Sequence, residues 1–280
     1  MVAVFINCTH KTKLKMNIDL TGKNAFVGGS SKGIGKAVAI ELAKLGANIT
    51  LVGRDEAALV QGQIDLSFIS KAEQHHDSLA VDYSNWEKVL AAAQKHQKKT
   101  NKTYHILVNN TGGPAGGKII DAQEADFVKT FEAHVLNNHA LTKLFVDGMK
   151  ADNYGRIINI ISTSVKQPLA NLGVSNTIRA AVANWAKTMA NELGGYGITV
   201  NNVLPGATET ERLKSIIKAK VEKSGASEDQ VRAEMLSEIP MKRFGKAEEI
   251  AAAVAFLATP AAGYINGINV PVDGGRTGSL

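Results

Sequence analysis

Three observations predict an α/β fold, a single domain built on a parallel sheet that is doubly wound with helices over both faces. Short apolar runs alternate with amphipathic stretches along nearly the whole chain, the first strand opens into a helix through a glycine-rich turn, and no linker, repeat or low-complexity segment divides the 280 residues. Strands that are apolar almost throughout, rather than at alternate positions, belong to parallel sheets buried on both faces. In such sheets ligands bind at the carboxyl ends of the strands.

Residues 1–15 contain an apolar run, Val2 to Ile6, too short for a secretory leader. Met16 starts a stretch that leads directly into the first strand, so residues 1–15 are expected to be an extension outside the fold and 16–280 the domain. The first strand is Ala25 to Val27 and the first helix Gly33 to Leu45, with Gly46 placed to end it. Between them lies Gly28-Gly29-Ser30-Ser31-Lys32-Gly33-Ile34-Gly35. A strand that ends in glycines and opens straight into a helix presents free backbone N–H groups and the positive helix end to an anion, typically a pyrophosphate. Gly29 permits the turn, Gly33 lets backbone approach phosphate, and Gly35 lets the helix pack on the strand.

A second strand at Asn48 to Val52 completes a βαβ unit, whose crossover is right-handed. The rhythm continues with a helix from Asp55 to about Ile69, a strand Leu79 to Asp82, a helix from Asn85 to about Lys98 and a strand His105 to Asn109. The second half has a long helix Glu124 to Lys150, a strand Arg156 to Ile161, a helix Asn176 to Leu193, a strand Thr199 to Leu204, a helix Ala247 to Leu257 and a last strand Ile268 to Val272. Residues 209–239 break the pattern. They are helical, charged and interrupted by Ser224-Gly225-Ala226, and they follow a strand end, where a lid over the site is expected.

Hydrophobic residues make up 44% of the chain and charged residues 21%, ordinary for a soluble enzyme-sized domain, and no apolar run reaches membrane-spanning length. The single cysteine, Cys8, allows no internal disulfide and no cysteine-based metal cluster, which fits a reducing, cytoplasmic setting. The net charge of +6 suggests nucleic acid at first sight, but Lys11, Lys13 and Lys15 of the extension account for three of those charges. Lys95, Lys98, Lys99 and Lys102 cluster at a helix end without interleaved aromatics, so neither a nucleic-acid nor a membrane partner is expected, and no metal.

The glycine turn, Leu107-Val108-Asn109-Asn110-Thr111-Gly112, Gly155 to Ser162, Asn201-Asn202-Val203-Leu204-Pro205-Gly206, Arg243-Phe244-Gly245 and Val272-Asp273-Gly274-Gly275 stand in the order found in the short-chain dehydrogenase/reductase family, which the chain resembles from about residue 18 onward. The resemblance implies a three-layer Rossmann-type domain, a nicotinamide cofactor, and a homotetramer or else a homodimer. The apolar residues Phe131, Val135, Leu141, Leu144, Phe145, Val182, Trp185 and Met189 on the two long helices read as a spare stripe for such a partner.

Charge selects the nicotinamide. Where members preferring NAD carry an acid at the end of the second strand, this chain has Gly53 followed by Arg54, and Lys32 lies within the glycine turn. Two cations converging on the ribose suit the 2′-phosphate of NADP(H); a register in which Asp55 binds the ribose is the competing reading. By resemblance Asp82 contacts adenine, although a helix N-cap is an alternative role. Asn110 and Gly112 line the ribose, and Thr208 and Thr210, after Pro205-Gly206, hold the carboxamide.

The catalytic pattern departs from the family. Ser162 matches the family serine, but Ser175 stands where the tyrosine belongs, Arg179 where the lysine belongs, and His134 where the long helix carries an asparagine. Serine is a far weaker acid than tyrosine, and arginine stays charged at any working pH. Arg179 can still bind the nicotinamide ribose, and Ser162 can still donate to a substrate oxygen. Lys166 is the first candidate for the missing proton donor and His134 the second; Asn137 lies a turn beyond. Two functions follow: an NADPH-dependent reductase of a small carbonyl or conjugated enone, or a cofactor-binding homologue without chemistry that works as a sensor or subunit.

Overall fold

Seven parallel strands form one sheet in the order β3-β2-β1-β4-β5-β6-β7. The strands are β1 (Asn24–Val27), β2 (Asn48–Gly53), β3 (Asp77–Ala80), β4 (Ile106–Asn109), β5 (Gly155–Ile160), β6 (Ile198–Pro205) and β7 (Asn269–Val272). They come from a computed structural model that describes residues 16–279, so the expected extension 1–15 lies outside the described residues. The chain runs outward from β1 to β3, then returns to start β4 on the other side of β1. That reversal opens a crevice between the ends of β1 and β4, the place where doubly wound sheets bind ligands.

Helices α1 (Gly33–Lys44), α2 (Glu56–Ser67) and α9 (Ala247–Leu257) cover one face, with Val38, Leu42, Ile250 and Val254 packed on Ala25, Val27 and Ile49. The other face carries α3 (Trp86–Thr100), α5 (Asn137–Ala151) and α6 (Gly173–Leu193), where Phe26, Tyr104 and Phe145 meet ring to ring. The two faces take alternate residues of β1, as strand geometry requires. Burial on both sides explains why the strands are apolar nearly throughout.

Three elements and the expected free stripe differ most from expectation. Strand β3 sits two residues earlier, which leaves Asp82 beyond its end. Helix α6 starts at Gly173, because a Cβ there would stand only 2.4 Å from Cβ of Ile119; glycine lets the preceding loop cross. The long helix is three pieces: α4 (Glu124–Phe131), a π-helical turn Glu132–Leu136, and α5. Most of the supposed spare stripe is used internally: Leu141, Phe145 and Val182 are fully buried, and Leu144, Trp185 and Met189 pack against the same core. The large apolar side chains exposed on this flank, among the described residues, are Ile119, Ile120, Val128 and Phe131.

Residues 209–239 form α7 (Glu211–Ser224) and α8 (Glu228–Ser237), with Leu213, Ile217, Val231, Ile239 and Phe244 as a small core of their own. A ladder invisible in the sequence pattern crosses the sheet near its carboxyl edge. Asn109 donates to Asn159 (2.9 Å), Asn159 to Asn202 (2.8 Å) and Asn202 to Asn269 (2.8 Å), each pair facing in register. Buried amides are tolerated there because each donates to the next.

Candidate active site

The glycine turn has the geometry of an anion cradle. Gly29 and Gly33 have φ of 57°, a left-handed conformation that favours glycine, and a Cβ on Gly35 would lie 2.2 Å from the Gly29 oxygen. Helices α2, α3, α7 and α8 are each capped by a side chain, from Asp55, Asn85, Thr210 and Ser227, whereas α1 has no side-chain cap and no acid in its first turn. Its leading N–H groups are left for an external anion, which the helix dipole favours. The residues present therefore fit a dinucleotide diphosphate.

The expected cofactor residues divide into those that brace the cradle and those that face it. Ser30 is buried and accepts from the Val52 amide at 2.8 Å, tying the turn to β2. The Asn110 amide donates to the carbonyls of Gly28 (3.1 Å) and Gly29 (3.3 Å), so its side chain holds the turn from the β4 end rather than lining an open ribose site. Ser31 and Gly112 stay open. Ser31 Oγ lies 3.4 Å from where a Gly53 Cβ would stand, and a Cβ on Gly112 would meet nothing within 4 Å. Exposed Lys32 and Arg54 flank that end of the crevice.

Asp82 is exposed beyond β3 and accepts from the Ser84 amide at 2.9 Å; the N-cap of α3 is Asn85, so the capping alternative for Asp82 is set aside. Tyr83, which sequence reasoning passed over, is buried beside it with its hydroxyl 2.8 Å from a Cβ built on Gly28. Burial pushes its phenol pKa upward, so it packs beneath the turn as a neutral group.

Pro205 ends β6, and Gly206 allows the C-terminal turn to pass close, since a Cβ there would lie 2.7 Å from Asp273 Cα. Thr208 Oγ1 donates to the Gly206 carbonyl at 3.0 Å. Thr210 caps α7, and its Cγ2 lies 3.5 Å from a Cβ built on Gly33. This brings Thr210 over the glycine turn, and it brings the first turn of α7 with it.

At the other end of the crevice Ser162 follows β5. Its Oγ accepts from the Ser164 amide at 3.1 Å, which orients the hydroxyl and leaves its proton to donate. Lys166 is half-buried at the end of the short turn after Ser162, its amide 3.0 Å from the Thr163 carbonyl. Ser175 lies in the first turn of α6, and Arg179 one turn later.

Arg179 is only 7% exposed and its Nη1 donates to the Ile160 carbonyl at 2.9 Å. Burial first, then the charge of Arg212, lowers its pKa to about 10, so it remains a cation at neutral pH.

His134 lies on the π-helical turn and is 3% exposed. The Asn137 amide steadies that turn by donating to the Ala133 carbonyl (3.1 Å) and to Tyr83 O (2.7 Å). Such turns recur at functional sites. Burial, reinforced by the charge of Arg179 and opposed by a hydrogen bond to the Gly112 backbone, drops the imidazole pKa to about 2. A histidine held neutral has no imidazolium proton to give, which weighs against its expected place as second proton donor. Its Nε2 has no partner, nor has Asn137 Oδ1, so both remain for a ligand or water.

A family model described as "Enoyl-(Acyl carrier protein) reductase" matches residues 29–277. The chain belongs to the short-chain dehydrogenase/reductase family. It is 31% identical to the NADPH-dependent reductase BacG of Bacillus subtilis over 93% of this chain and 100% of that one. To the 3-oxoacyl-[acyl-carrier-protein] reductase FabG of Pseudomonas aeruginosa it is 33% identical, covering 92% and 98%. Among solved structures, L-sorbose reductase from Gluconobacter frateurii, complexed with NADPH and L-sorbose, superposes with a TM-score of 0.87 at 31% identity, covering 95% of this chain and all of that one. The α/β sheet and its helical layers are thus those of a short-chain dehydrogenase/reductase. Among the described residues no helix is long and apolar enough to cross a membrane, and no cluster of His, Cys, Asp and Glu could hold a metal ion.

Proposed function

We propose that the protein is an NADPH-dependent reductase of a small carbonyl compound or conjugated enone, in which Ser162, Lys166 and Arg179 do the work the family gives to Ser, Tyr and Lys. The observation that carries this reading is the uncapped, glycine-built cradle of α1 beside a second strand that ends in Gly53-Arg54. With no acid at Gly53, Lys32 and Arg54 face a 2′-phosphate rather than a bare ribose diol. Similarity to BacG, named for its NADPH dependence, and to a sorbose reductase that holds NADPH supports the same cofactor.

NADPH, when bound, supplies the hydride. Ser162 Oγ donates to the oxygen on which negative charge grows, a contact that strengthens as the reaction proceeds. Lys166 Nζ delivers a proton to that oxygen and regains one from solvent; in an enone, where charge spreads into an enolate, the protonation is less urgent. Arg179 adds fixed positive potential without titrating. Carbonyl and hydride, with this proton, give the alcohol. The two helices of 209–239 act as the lid, and the protomers assemble as a homotetramer, which light scattering would test.

Calorimetry should find NADPH bound roughly ten- to a hundredfold more tightly than NADH, the contribution of a charge-assisted phosphate contact. Arg54→Asp should erase that preference. Equal affinities in the wild type would reject the cofactor assignment. A screen of ketones and enones for NADPH oxidation tests the chemistry, and tight cofactor binding with no turnover would turn the reading to a sensor.

A further inference from the structure

A point in the crevice above Gly113 is flanked by two guanidiniums. A Cβ built on Gly113 would stand 3.6 Å from Arg179 Nη2 and 3.9 Å from Arg212 Nη2. The two arrive from separate elements, Arg179 from α6 and Arg212 from the first turn of α7. Like charges so close repel, and among the described residues no Asp or Glu forms an ion pair with either. Each makes a single hydrogen bond, Arg179 to Ile160 O and Arg212 Nη2 to the Pro114 carbonyl at 2.8 Å. A guanidinium has five N–H donors, so most of theirs are left over. A buried cation without a counter-ion is costly, and Arg179, buried with the exposed Arg212 guanidinium beside it, makes that point a favourable seat for an anion.

We propose that Arg179 and Arg212 grip a carboxylate on the substrate, so that the compound reduced is an oxo acid or an unsaturated acid rather than a neutral ketone. This rests on the reductase reading above and names its substrate class. The position fits. Arg179 is anchored on the last residue of β5, and Ser162, the donor to the reacting oxygen, is two residues further on, so the carboxylate lies within a few bonds of the carbon reduced. Arg212 belongs to the lid, and its bond to Pro114 already joins the lid to the loop after β4. A carboxylate bridging the two arginines would replace repulsion with two charge-assisted contacts and hold the lid down, and a neutral substrate would leave the repulsion in place. The diphosphate of the cofactor is the other anion within the crevice, and the test separates the two.

Protein saturated with NADP⁺ has no hydride to give, so binding can be titrated by calorimetry without turnover. The probes are 2-oxobutanoate and its neutral methyl ester. The acid should bind at least tenfold more tightly than the ester, and Arg212→Ala, at an exposed position, should weaken the acid by about ten- to a hundredfold while leaving the ester and the NADP⁺ affinity unchanged. Arg212→Lys should recover part of the loss. Equal binding of acid and ester, no binding of either at millimolar concentration, or an Arg212→Ala effect on NADP⁺ instead of on the acid would overturn the proposal. A wild-type protein that binds no NADP⁺ would defeat the reductase reading itself, and one that oxidises NADPH with neutral ketones but ignores the acid would defeat only the carboxylate.

Discussion

Arg156 and Arg179 stand at opposite edges of the sheet, beside the two ends of β5, both buried and both without a carboxylate partner among the described residues, at 4% and 7% exposure. Arg156, at the amino edge, is tied into the fold by three hydrogen bonds and a ring contact. Its Nε donates to the Thr259 carbonyl and its Nη1 to those of Gly155 (2.8 Å) and Gly197 (3.1 Å), and its guanidinium lies 4.2 Å above the Tyr154 ring. Arg179, at the carboxyl edge, makes one bond and faces a second arginine. At the amino edge Asp77 also meets His96 and Lys102, and His105 meets Asp152, whereas at the carboxyl edge the polar atoms His134 Nε2, Asn137 Oδ1 and Ser164 Oγ have no partner; Thr199 Oγ1 is an unpartnered atom at the amino edge. Charge that is paired within the fold stabilises it. Charge left unpaired is a cost the fold carries for whatever binds there.

The largest effect should come from exchanging the two arginines for a side chain of similar length. Arg156→Met removes the donors to three carbonyls in one buried corner, and leaving them unmatched should cost about 3 kcal/mol of unfolding free energy in urea titration. Arg179→Met should change stability by less than about 1 kcal/mol, or raise it, because the buried charge disappears along with its single bond. Reduction should be lost in the second variant. Equal destabilisation of the two would break the comparison, since it would mean that Arg179 is structural as well.

The catalytic variants come next. Ser162→Ala should lower the turnover rate by a factor of about 10² through loss of a donor to the developing oxyanion. Lys166→Ala should lower it by about 10² to 10⁴ if the lysine is the proton donor, and hardly at all if the substrate is reduced to a delocalised enolate. Measured together with the same assay, the pair says which of the two chemistries the carboxyl edge performs. Restoring Tyr at Ser175 with Lys at Arg179 sharpens the result: a gain of ordinary ketone reduction would show that the departure from the family pattern lies in these two side chains and not in the crevice around them.

What the sequence disclosed follows the range over which each feature is specified. The βαβ rhythm, the glycine turn and the two helices of 209–239 were legible because periodicity, caps and turn residues act within a few positions; Ala247 to Leu257 even has the predicted bounds. The asparagine ladder joins four strands, so nothing local marks Asn159 or Asn202 as partners. Ser30 and Asn110 sit in the expected motifs, but only the packed structure reveals that they brace the turn instead of facing the crevice. His134 looked like an available proton donor because burial, which keeps it neutral, comes from helices and loops remote in sequence. Arg212 was missed altogether: an arginine in the first turn of a charged helix reads as solvated until the fold sets it beside Arg179.

The smallest effect concerns the amino edge alone. Burial would raise the Asp77 carboxyl, but its hydrogen bonds to His96 and Lys102 and the charge of Lys102 outweigh that and hold its pKa at about 2. Because the folded value lies below the unfolded one, near 3.9, the stabilisation is complete above the unfolded pKa and disappears as pH falls through the folded one. A shift of that size is worth about 2 kcal/mol at neutral pH. Asp77→Asn should therefore be about 2 kcal/mol less stable than the wild type at pH 7, and the gap should narrow steadily below pH 4. Reduction measured at pH 7 well below the unfolding temperature should be untouched, since nothing at this edge reaches the crevice. A gap that stays constant with pH would assign the loss to packing and leave the amino edge without the paired charge on which the contrast with Arg179 depends.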